Sequence, residues 1–257
     1  MLMSTEELLE ELVNHVVSST LHVVMVDPKT LMPKGAGSGC FIIYKERPFF
    51  ISVQHVTDKE GLQAVIDKGT GNKTGTDVFP VPTLNYVGEI DINQLDISKP
   101  VIEQTKMLDV CYAEIKEDIV IYQKELWFNK IHVKADNKRL IFTDLTYVPT
   151  ADEKYCFYGR IRSATYENEL IQTDKLFLGI EYDCKVGPFE RFILQDVIQE
   201  HDHIDFIGTS GAPIISETGE PVAFVAHGYT GEKYIYAFSA RELKRYLDIY
   251  IDMHPSE

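Results

Sequence analysis

Apolar and polar positions alternate in short blocks along most of this chain, and this pattern predicts strands. Turn signals rich in glycine, proline and acidic residues separate the blocks. The predicted strands lie at residues 21–26, 40–44, 49–53, 62–66 and 76–81 in the first half, and at 155–159, 169–173, 176–182, 191–196, 222–226 and 234–238 in the second. Many short strands with few helices indicate an all-β fold, either barrels or a sandwich.

Helical spacing of apolar residues is found near both ends of the chain. Ser4 and Glu7 form a capping-box pattern at the first helix, and Ser239 and Glu242 form one at the second. The apolar residues that recur at helical spacing are Leu8, Leu9, Leu12, Val13, Val16 and Val17 near the N-terminus, and Leu243, Tyr246, Leu247 and Tyr250 near the C-terminus. The chain therefore begins and closes with a predicted helix.

The most specific motif is G-T-S-G-A-P at residues 208–213. Gly208 and Gly211 allow a tight turn, which can aim the amides of Gly208 and Ser210 at one point beside the serine hydroxyl. Two such amides make an oxyanion hole. The alternative is a nucleophile elbow, G-x-S-x-G, but Ala212 stands where that motif needs glycine. The elbow's triad also follows the order Ser, Asp, His, the reverse of the order in this chain.

Two further segments supply the partners that a serine nucleophile needs, a base and an acid to orient it. His55 follows an apolar run, and Asp109 precedes the apolar segment V-C-Y-A. Asp91 and Asp96 are rival acids, but neither precedes an apolar strand so directly. Each residue alone has a structural explanation, as a packed histidine, a strand-start aspartate or a turn serine. Together and in this order they predict a His55, Asp109, Ser210 triad.

These segments resemble the trypsin/chymotrypsin-like serine peptidases, over residues from about 20 to 250. G-S-G-C-F-I-I at 37–43 is similar to the family's G-S-G-F-I-I, and F-I-S-V-Q-H-V at 50–56 is similar to its L-T-A-A-H-V. L-D-V-C-Y-A at 108–113 is similar to D-[IL]-A-[LV], and G-T-S-G-A-P at 208–213 is similar to G-[DN]-S-G-G-P. The resemblance implies a serine endopeptidase in which His55 is the general base, Asp109 its orienter and Ser210 the nucleophile, with Gly208 and Ser210 amides as the oxyanion hole.

The resemblance also implies an all-β, chymotrypsin-like fold of two six-stranded antiparallel β-barrels, with an N-terminal helix and a closing C-terminal helix. The chain of 257 residues is long enough for such a two-lobed core. The predicted divisions are an N-terminal helix at 1–19, a first barrel lobe at 20–118, a connection at 119–150, a second barrel lobe at 151–238, and a C-terminal helix and tail at 239–257.

Three departures from the family pattern bear on function. Thr209 stands where zymogen-activated members carry an aspartate that pairs with a newly cut N-terminus. The oxyanion hole is therefore expected to form without proteolytic activation. Gln54 adds bulk beside the base, and Ala212 adds a Cβ where the family often has glycine. The alternative function is a catalytically silent, protease-like module that binds protein, because a fold does not by itself confer its usual activity.

The resemblance places the primary substrate pocket near Ile204, Ala226 and His227. Ile204 lies six residues before the serine and would give an apolar pocket floor, which suits an apolar or small substrate side chain. V-A-H-G at 225–228 is also similar, with a shift of about two residues, to the I-H-x-G of glutamyl endopeptidases, where histidine meets an acidic side chain. A strand-end histidine is the alternative for His227.

Charge narrows the range of partners. The formal net charge is −15, spread along the chain, which argues against nucleic acid or an anionic membrane as a partner. The predicted partner is a polypeptide substrate.

The N-terminal M-L-M-S-T-E-E has no basic segment followed by a long apolar stretch, so no signal peptide is expected and the predicted location is cytoplasmic. A cytoplasmic peptidase must be restrained, which suggests a regulatory protein partner.

No metal or other cofactor is expected. The chemistry of the triad needs none, and the four cysteines show no C-x-x-C spacing. Three of them lie in apolar runs, where cysteine commonly serves as a small buried hydrophobic residue. His201 and His203, with Asp202 and Asp205, suggest a metal site, because the spacing puts both imidazoles on the same side of an extended chain, but no third ligand is evident. We interpret that segment as a solvated loop.

Overall fold

The computed structural model describes residues 5–70, 77–166, 169–198 and 208–255. In this part of the chain the α-helices are α1 (Thr5–Ser19), the single turn α2 (Gln54–Thr57) and α3 (Ala240–Met253), and two short 3-10 helices span Ile92–Gln94 and Val101–Gln104. The first strands are β1 (Thr20–Val26), β2 (Pro33–Tyr44), β3 (Arg47–Ser52), β4 (Gln63–Asp67), β5 (Val78–Pro80), β6 (Asn85–Glu89) and β7 (Lys106–Glu114). Most of them match the alternating blocks read from the sequence.

The predicted connection at 119–150 contains short strands, and longer strands follow it. The short ones are β8 (Tyr122–Gln123), β9 (Leu126–Phe128), β10 (Ile131–Val133), β11 (Asp136–Asn137) and β12 (Ile141–Phe142). The longer ones are β13 (Lys154–Tyr166), β14 (Glu169–Val186), β15 (Phe189–Ile193), β16 (Pro213–Ser216), β17 (Pro221–Gly228) and β18 (Tyr234–Ser239).

The N-terminal lobe is an eight-stranded sheet in the order β5-β4-β1-β2-β3-β7-β6, with β12 parallel to β2. Within the described residues its edge strands β5 and β6 do not pair with each other, so the first of the two predicted barrels is not confirmed. Strand β5 has three residues and ends at Pro80, and Pro82 follows closely. Proline has no N–H to donate to a ladder, which limits pairing at this edge.

The C-terminal lobe is a closed barrel, β13-β14-β15-β18-β17-β16, as predicted for the second barrel. Strand β14 is continuous, where the sequence predicted two strands separated near Asp174. Its polar centre pairs directly with β13, where Thr173 lies opposite Ile161, Asp174 opposite Arg160 and Lys175 opposite Gly159. Because these ladder partners extend the strand, the polar residues do not form a turn.

The two terminal helices pack onto one core that both lobes share. Val16 of α1 and Leu243 of α3 belong to the same buried cluster as Phe49 of the sheet and Phe224 of the barrel. The predicted cap of α3 is wrong. The Ser239 hydroxyl makes no cap hydrogen bond and instead donates to the buried Glu190 carboxylate at 2.8 Å. The other predicted cap residue, Ser4, lies outside the described residues.

The state of the cysteines and the length of the helices bear on the environment of the chain. All four cysteines are free thiols, and Cys40, Cys111 and Cys156 are buried. In the described ranges, no helix is both long enough and apolar enough to cross a membrane.

Candidate active site

His55 and Asp109 are brought together by the pairing of β3 with β7. Ser52, the last residue of β3, lies opposite Cys111, and the chain then turns into α2, which carries His55. The His55 ring nitrogen Nδ1 lies 2.8 Å from Oδ2 of Asp109, and the His55 amide donates to Oδ1 at 3.0 Å. Both carboxylate oxygens therefore hold the same residue, which fixes the orientation of the imidazole.

The environment of Asp109 keeps this carboxyl ionised. Burial by itself raises the pKa, but the hydrogen bonds and charge of His55 outweigh it, so the pKa of Asp109 is lowered. The Asp109 side chain is 25% exposed, whereas that of His55 is 49% exposed. The carboxylate is thus held inside while the imidazole is accessible to a substrate.

The rival acids bind their own turns. Asp91 accepts a hydrogen bond from the amide of Asn93, and Asp96 accepts from the amide and hydroxyl of Ser98. Both lie between β6 and β7 and serve local turns. Asp109 is the acid that contacts His55.

The serine loop, residues 208–212, requires glycine at two positions. Gly208 has a φ of +124° and Gly211 a φ of +91°. A Cβ at Gly208 would lie 2.1 Å from the carbonyl oxygen of Arg160, and a Cβ at Gly211 would lie 2.0 Å from that of Ser38. The backbone of the loop therefore approaches both lobes more closely than any side chain would allow.

Hydrogen bonds from Ser38, in β2, tie the serine loop to the N-terminal sheet. The Ser38 amide donates to the Ser210 carbonyl at 2.7 Å, and the Ser38 hydroxyl donates to the Gly208 carbonyl at 2.6 Å. Ser52 in turn donates to the Ser38 carbonyl at 2.7 Å. The loop is thus bound to β2, and the Ser52 hydrogen bond joins this part of β2 to the end of β3, the strand that leads to His55.

The barrel holds the other side of the serine loop. The Gly211 amide donates to the Val225 carbonyl at 2.7 Å. Among the described residues, the amides of Gly208 and Ser210 donate to no acceptor. The two loop carbonyls are thus bound to Ser38, and the two amides named as oxyanion donors are not used by the described fold.

Ser38 and Ser52 were not singled out by the sequence. The signal that could have found them is a hydroxyl in a strand whose neighbouring positions are glycine or apolar. Both side chains are fully buried, and a buried hydroxyl needs a partner. Each finds its partner on a backbone carbonyl near the serine loop.

The Ser210 hydroxyl points to a backbone carbonyl. Its Oγ donates to the Ala226 carbonyl at 3.3 Å, and in the described part of the chain no hydrogen bond joins it to His55. The predicted Ser210–His55 hydrogen bond is therefore not formed in this structure. Catalytic hydrogen bonds are often long or poorly aligned before substrate binds.

Of the residues predicted to form the substrate pocket, Ala226 and His227 lie in β17, and Ile204 is outside the described residues, as is the His201–Asp205 segment. Ala226 is buried. His227 stacks on Tyr236, with ring centroids 5.0 Å apart, and meets Phe189 and Tyr229 edge-on. Burial lowers the pKa of His227, while the charge of Asp109 raises it in part. His227 therefore lies within electrostatic range of the His55–Asp109 pair.

Within the described ranges, no group of three or more His, Cys, Asp or Glu residues could hold a metal ion.

The closed barrel, the eight-stranded sheet and the core that they share define an all-β fold. The chain is similar in structure to the serine endoprotease from Yersinia pestis, with a TM-score of 0.52 and 14% sequence identity, over 98% of this chain and 68% of that one. At this identity the likeness is one of fold. No protein-family model and no curated protein matches the sequence.

Proposed function

We propose that this protein is a trypsin-like serine endopeptidase that cleaves polypeptides through an acyl-enzyme. The observation that carries the proposal is the two-point hydrogen bonding of His55 by Asp109, next to a glycine-flanked serine loop anchored on the same sheet. The alternative function is a silent protein-binding module, and the experiment below separates the two.

The proposed mechanism follows from the orientation of His55. Asp109 holds the Nδ1–H, which leaves Nε2 as the base. Ser210 Oγ rotates away from Ala226, gives its proton to Nε2 and attacks the scissile carbonyl. The amides of Gly208 and Ser210 bind the resulting oxyanion. His55 then donates the proton to the leaving amine, and water attacks the acyl-enzyme with His55 again as base, which restores Ser210.

The proposed substrate pocket includes Ala226, His227 and Ile204. A neutral, ring-stacked His227 favours an apolar or aromatic substrate side chain, because an uncharged imidazole among rings offers no ion pair. The net charge of −15 further disfavours acidic substrates at long range, which makes the glutamyl alternative the weaker one. A cytoplasmic location and a regulatory partner stay predictions.

The test is labelling by a fluorophosphonate, read by intact mass, of the wild type beside Ser210→Ala and His55→Ala. Ser98→Ala, at an exposed serine, is the matched control. We expect one adduct on the wild type and on Ser98→Ala, and none on the other two. Cleavage of a peptide library by the wild type, and not by Ser210→Ala, would then define the substrate.

A wild type that forms no adduct at high probe concentration, and cleaves no peptide, would contradict the proposal and favour the binding module. An adduct that persists in Ser210→Ala would show that another residue is the nucleophile.

A further inference from the structure

A buried cluster of charges lies where the two lobes meet. Arg160, in β13, has Nη1 3.3 Å from Oδ2 of Asp67 and Nε 3.1 Å from Oδ1 of Asp174. The Tyr158 hydroxyl also donates to Asp174. Asp67 belongs to β4 of the sheet and Asp174 to β14 of the barrel, so one guanidinium joins both lobes. The Arg160 side chain is 12% exposed and that of Asp67 is 3% exposed.

The backbone of this arginine supports the serine loop. The Arg160 carbonyl is the atom that a Cβ at Gly208 would strike at 2.1 Å. The neighbouring Gly159 also lies close to the loop, since a Cβ there would lie 3.0 Å from the Cα of Thr209. Strand β13 therefore packs directly against one side of the serine loop, and Ser38 binds the loop from the opposite lobe.

Because Thr209 is uncharged, an ion pair at this residue cannot hold the serine loop, and the packing of β13 against the loop becomes important. An acidic residue at that position could be locked by a nearby cation, but threonine carries no charge. In the described residues, the strand that lies against the loop carries a charge of its own, because Arg160, whose carbonyl faces Gly208, pairs through its guanidinium with Asp67 and Asp174. The guanidinium suits this role, because its planar fork can reach two carboxylates at once, which a lysine ammonium does less well.

We propose that Arg160 is a positioning residue for the oxyanion hole. By bridging Asp67 and Asp174 it holds β13 against Gly208, and so keeps the loop amides aligned without proteolytic processing of the chain. This inference rests on the proposed function for its catalytic consequence, but the positioning of the loop can be measured without catalysis.

The experiment compares Arg160→Met, Arg160→Lys and the double variant Arg160→Met/Asp67→Leu in the full chain. Arg47→Met is the matched control, because Arg47 also pairs with a largely buried carboxylate, that of Glu114. Arg160→Met alone leaves the buried Asp67 carboxylate without its cation, which could prevent folding. The double variant removes that carboxylate as well, so the test can still be made if Arg160→Met does not fold.

Two readouts are taken. The first is the fluorophosphonate rate constant per folded molecule, with kcat and KM for a cleaved peptide. The second is amide hydrogen exchange of Gly211 and Ala212, whose amides are hydrogen-bonded, relative to Leu194, which donates to Lys233 elsewhere in the barrel. A general loss of stability speeds the exchange of all three amides, whereas a loss of packing between β13 and the loop speeds the exchange of the two loop amides alone.

We expect Arg160→Met and the double variant to label about 30-fold more slowly, with KM changed by less than about twofold, because oxyanion donors act in the transition state. Their loop amides should exchange about tenfold faster relative to Leu194. Arg160→Lys should fall between these variants and the wild type, and Arg47→Met should match the wild type in both readouts.

Unchanged labelling and unchanged relative exchange in Arg160→Met or in the double variant would overturn the inference. If the wild type itself is not labelled, the proposed function fails, and the exchange of the loop amides still decides whether Arg160 positions the loop.

Discussion

His55 and the carboxylate of Asp109 are joined at two points, ring Nδ1 to Oδ2 at 2.8 Å and backbone amide to Oδ1 at 3.0 Å. The amide contact fixes the start of α2 on β7, and the ring contact then fixes the imidazole. A carboxylate that accepts from both groups tolerates only one ring orientation and one tautomer. The side chain that carries the chemistry in the proposed mechanism is thus oriented by the fold before any substrate binds.

Replacing Asp109 by Asn should remove this control. The amide NH₂ would favour the wrong imidazole tautomer, and kcat near pH 7 should fall by about 10³–10⁴-fold. Steady-state cleavage of a peptide, with KM measured separately, tests this. Asp91→Asn is the control, because that carboxylate serves only a local turn. Equal activities of the two variants would contradict the role of Asp109.

Replacing Gly211 by Ala should disrupt the serine loop. The residue has a φ of +91°, and the new Cβ would lie 2.0 Å from the Ser38 carbonyl oxygen. Gly231→Ala is the matched control, since Gly231 has a φ of +83° and nothing within 4 Å of the new Cβ.

Backbone strain alone should lower the free energy of unfolding of Gly231→Ala by about 1 kcal/mol. Gly211→Ala should lose about 3 kcal/mol or more and label about 100-fold more slowly. Urea unfolding and fluorophosphonate kinetics measure the two effects. Similar losses in both variants would show that the close approach to Ser38 is not a constraint.

The buried His22 should make stability depend on pH. Burial, and then the charge of Arg160, lower its pKa to about 3 in the folded protein. An unfolded chain protonates histidine near pH 6.5, so between these values the unfolded state binds more protons. The free energy of unfolding should therefore fall as pH drops from about 6.5, by up to about 1.4 kcal/mol per pH unit.

Urea unfolding at pH 7, 6 and 5, on the wild type and on His22→Leu, tests this dependence. The variant should lose about 1 kcal/mol per pH unit less than the wild type across this range. Parallel slopes for the two proteins would show that His22 is not protected from protons.

Arg47 should hold the C-terminal helix on the N-terminal sheet. Its guanidinium makes two hydrogen bonds of 2.6 Å to Glu114 and donates to the His254 carbonyl at 2.6 Å. It also lies over the Tyr250 ring, with Cζ 5.6 Å from the centroid. Arg47→Met should lower the free energy of unfolding by about 2 kcal/mol, because charged hydrogen bonds are lost.

The loss should be visible locally as faster amide exchange in the last turn of α3. Arg245→Met is a control on the same helix, because its ion pair with Glu242 lies within α3 and does not reach Glu114. Equal stability of Arg47→Met and wild type would show that the contact does not hold the helix.

The positions of several strands and of the closing helix follow from the pattern of the sequence, whereas β6 and the short strands of the connection were not predicted. Strand β1 was predicted at 21–26 and spans Thr20–Val26, and the closing helix spans Ala240–Met253. These elements bury a regular set of side chains, so local periodicity is enough to find them. The cap predicted at Ser239 is wrong because a carboxylate distant in the chain, Glu190, takes its hydroxyl.

The three residues of the proposed triad were also singled out by the sequence, because each stands beside a strand or turn signal. What tertiary structure alone decided is how they are held. His55 meets Asp109 across 54 residues of chain, and Ser38 meets Gly208 across 170. The Arg160 cluster also depends on tertiary contacts, and so does the absence, among the described residues, of pairing between the edge strands β5 and β6. Such contacts depend on which chain segments fold against each other, and a local pattern of residues contains no information about that pairing.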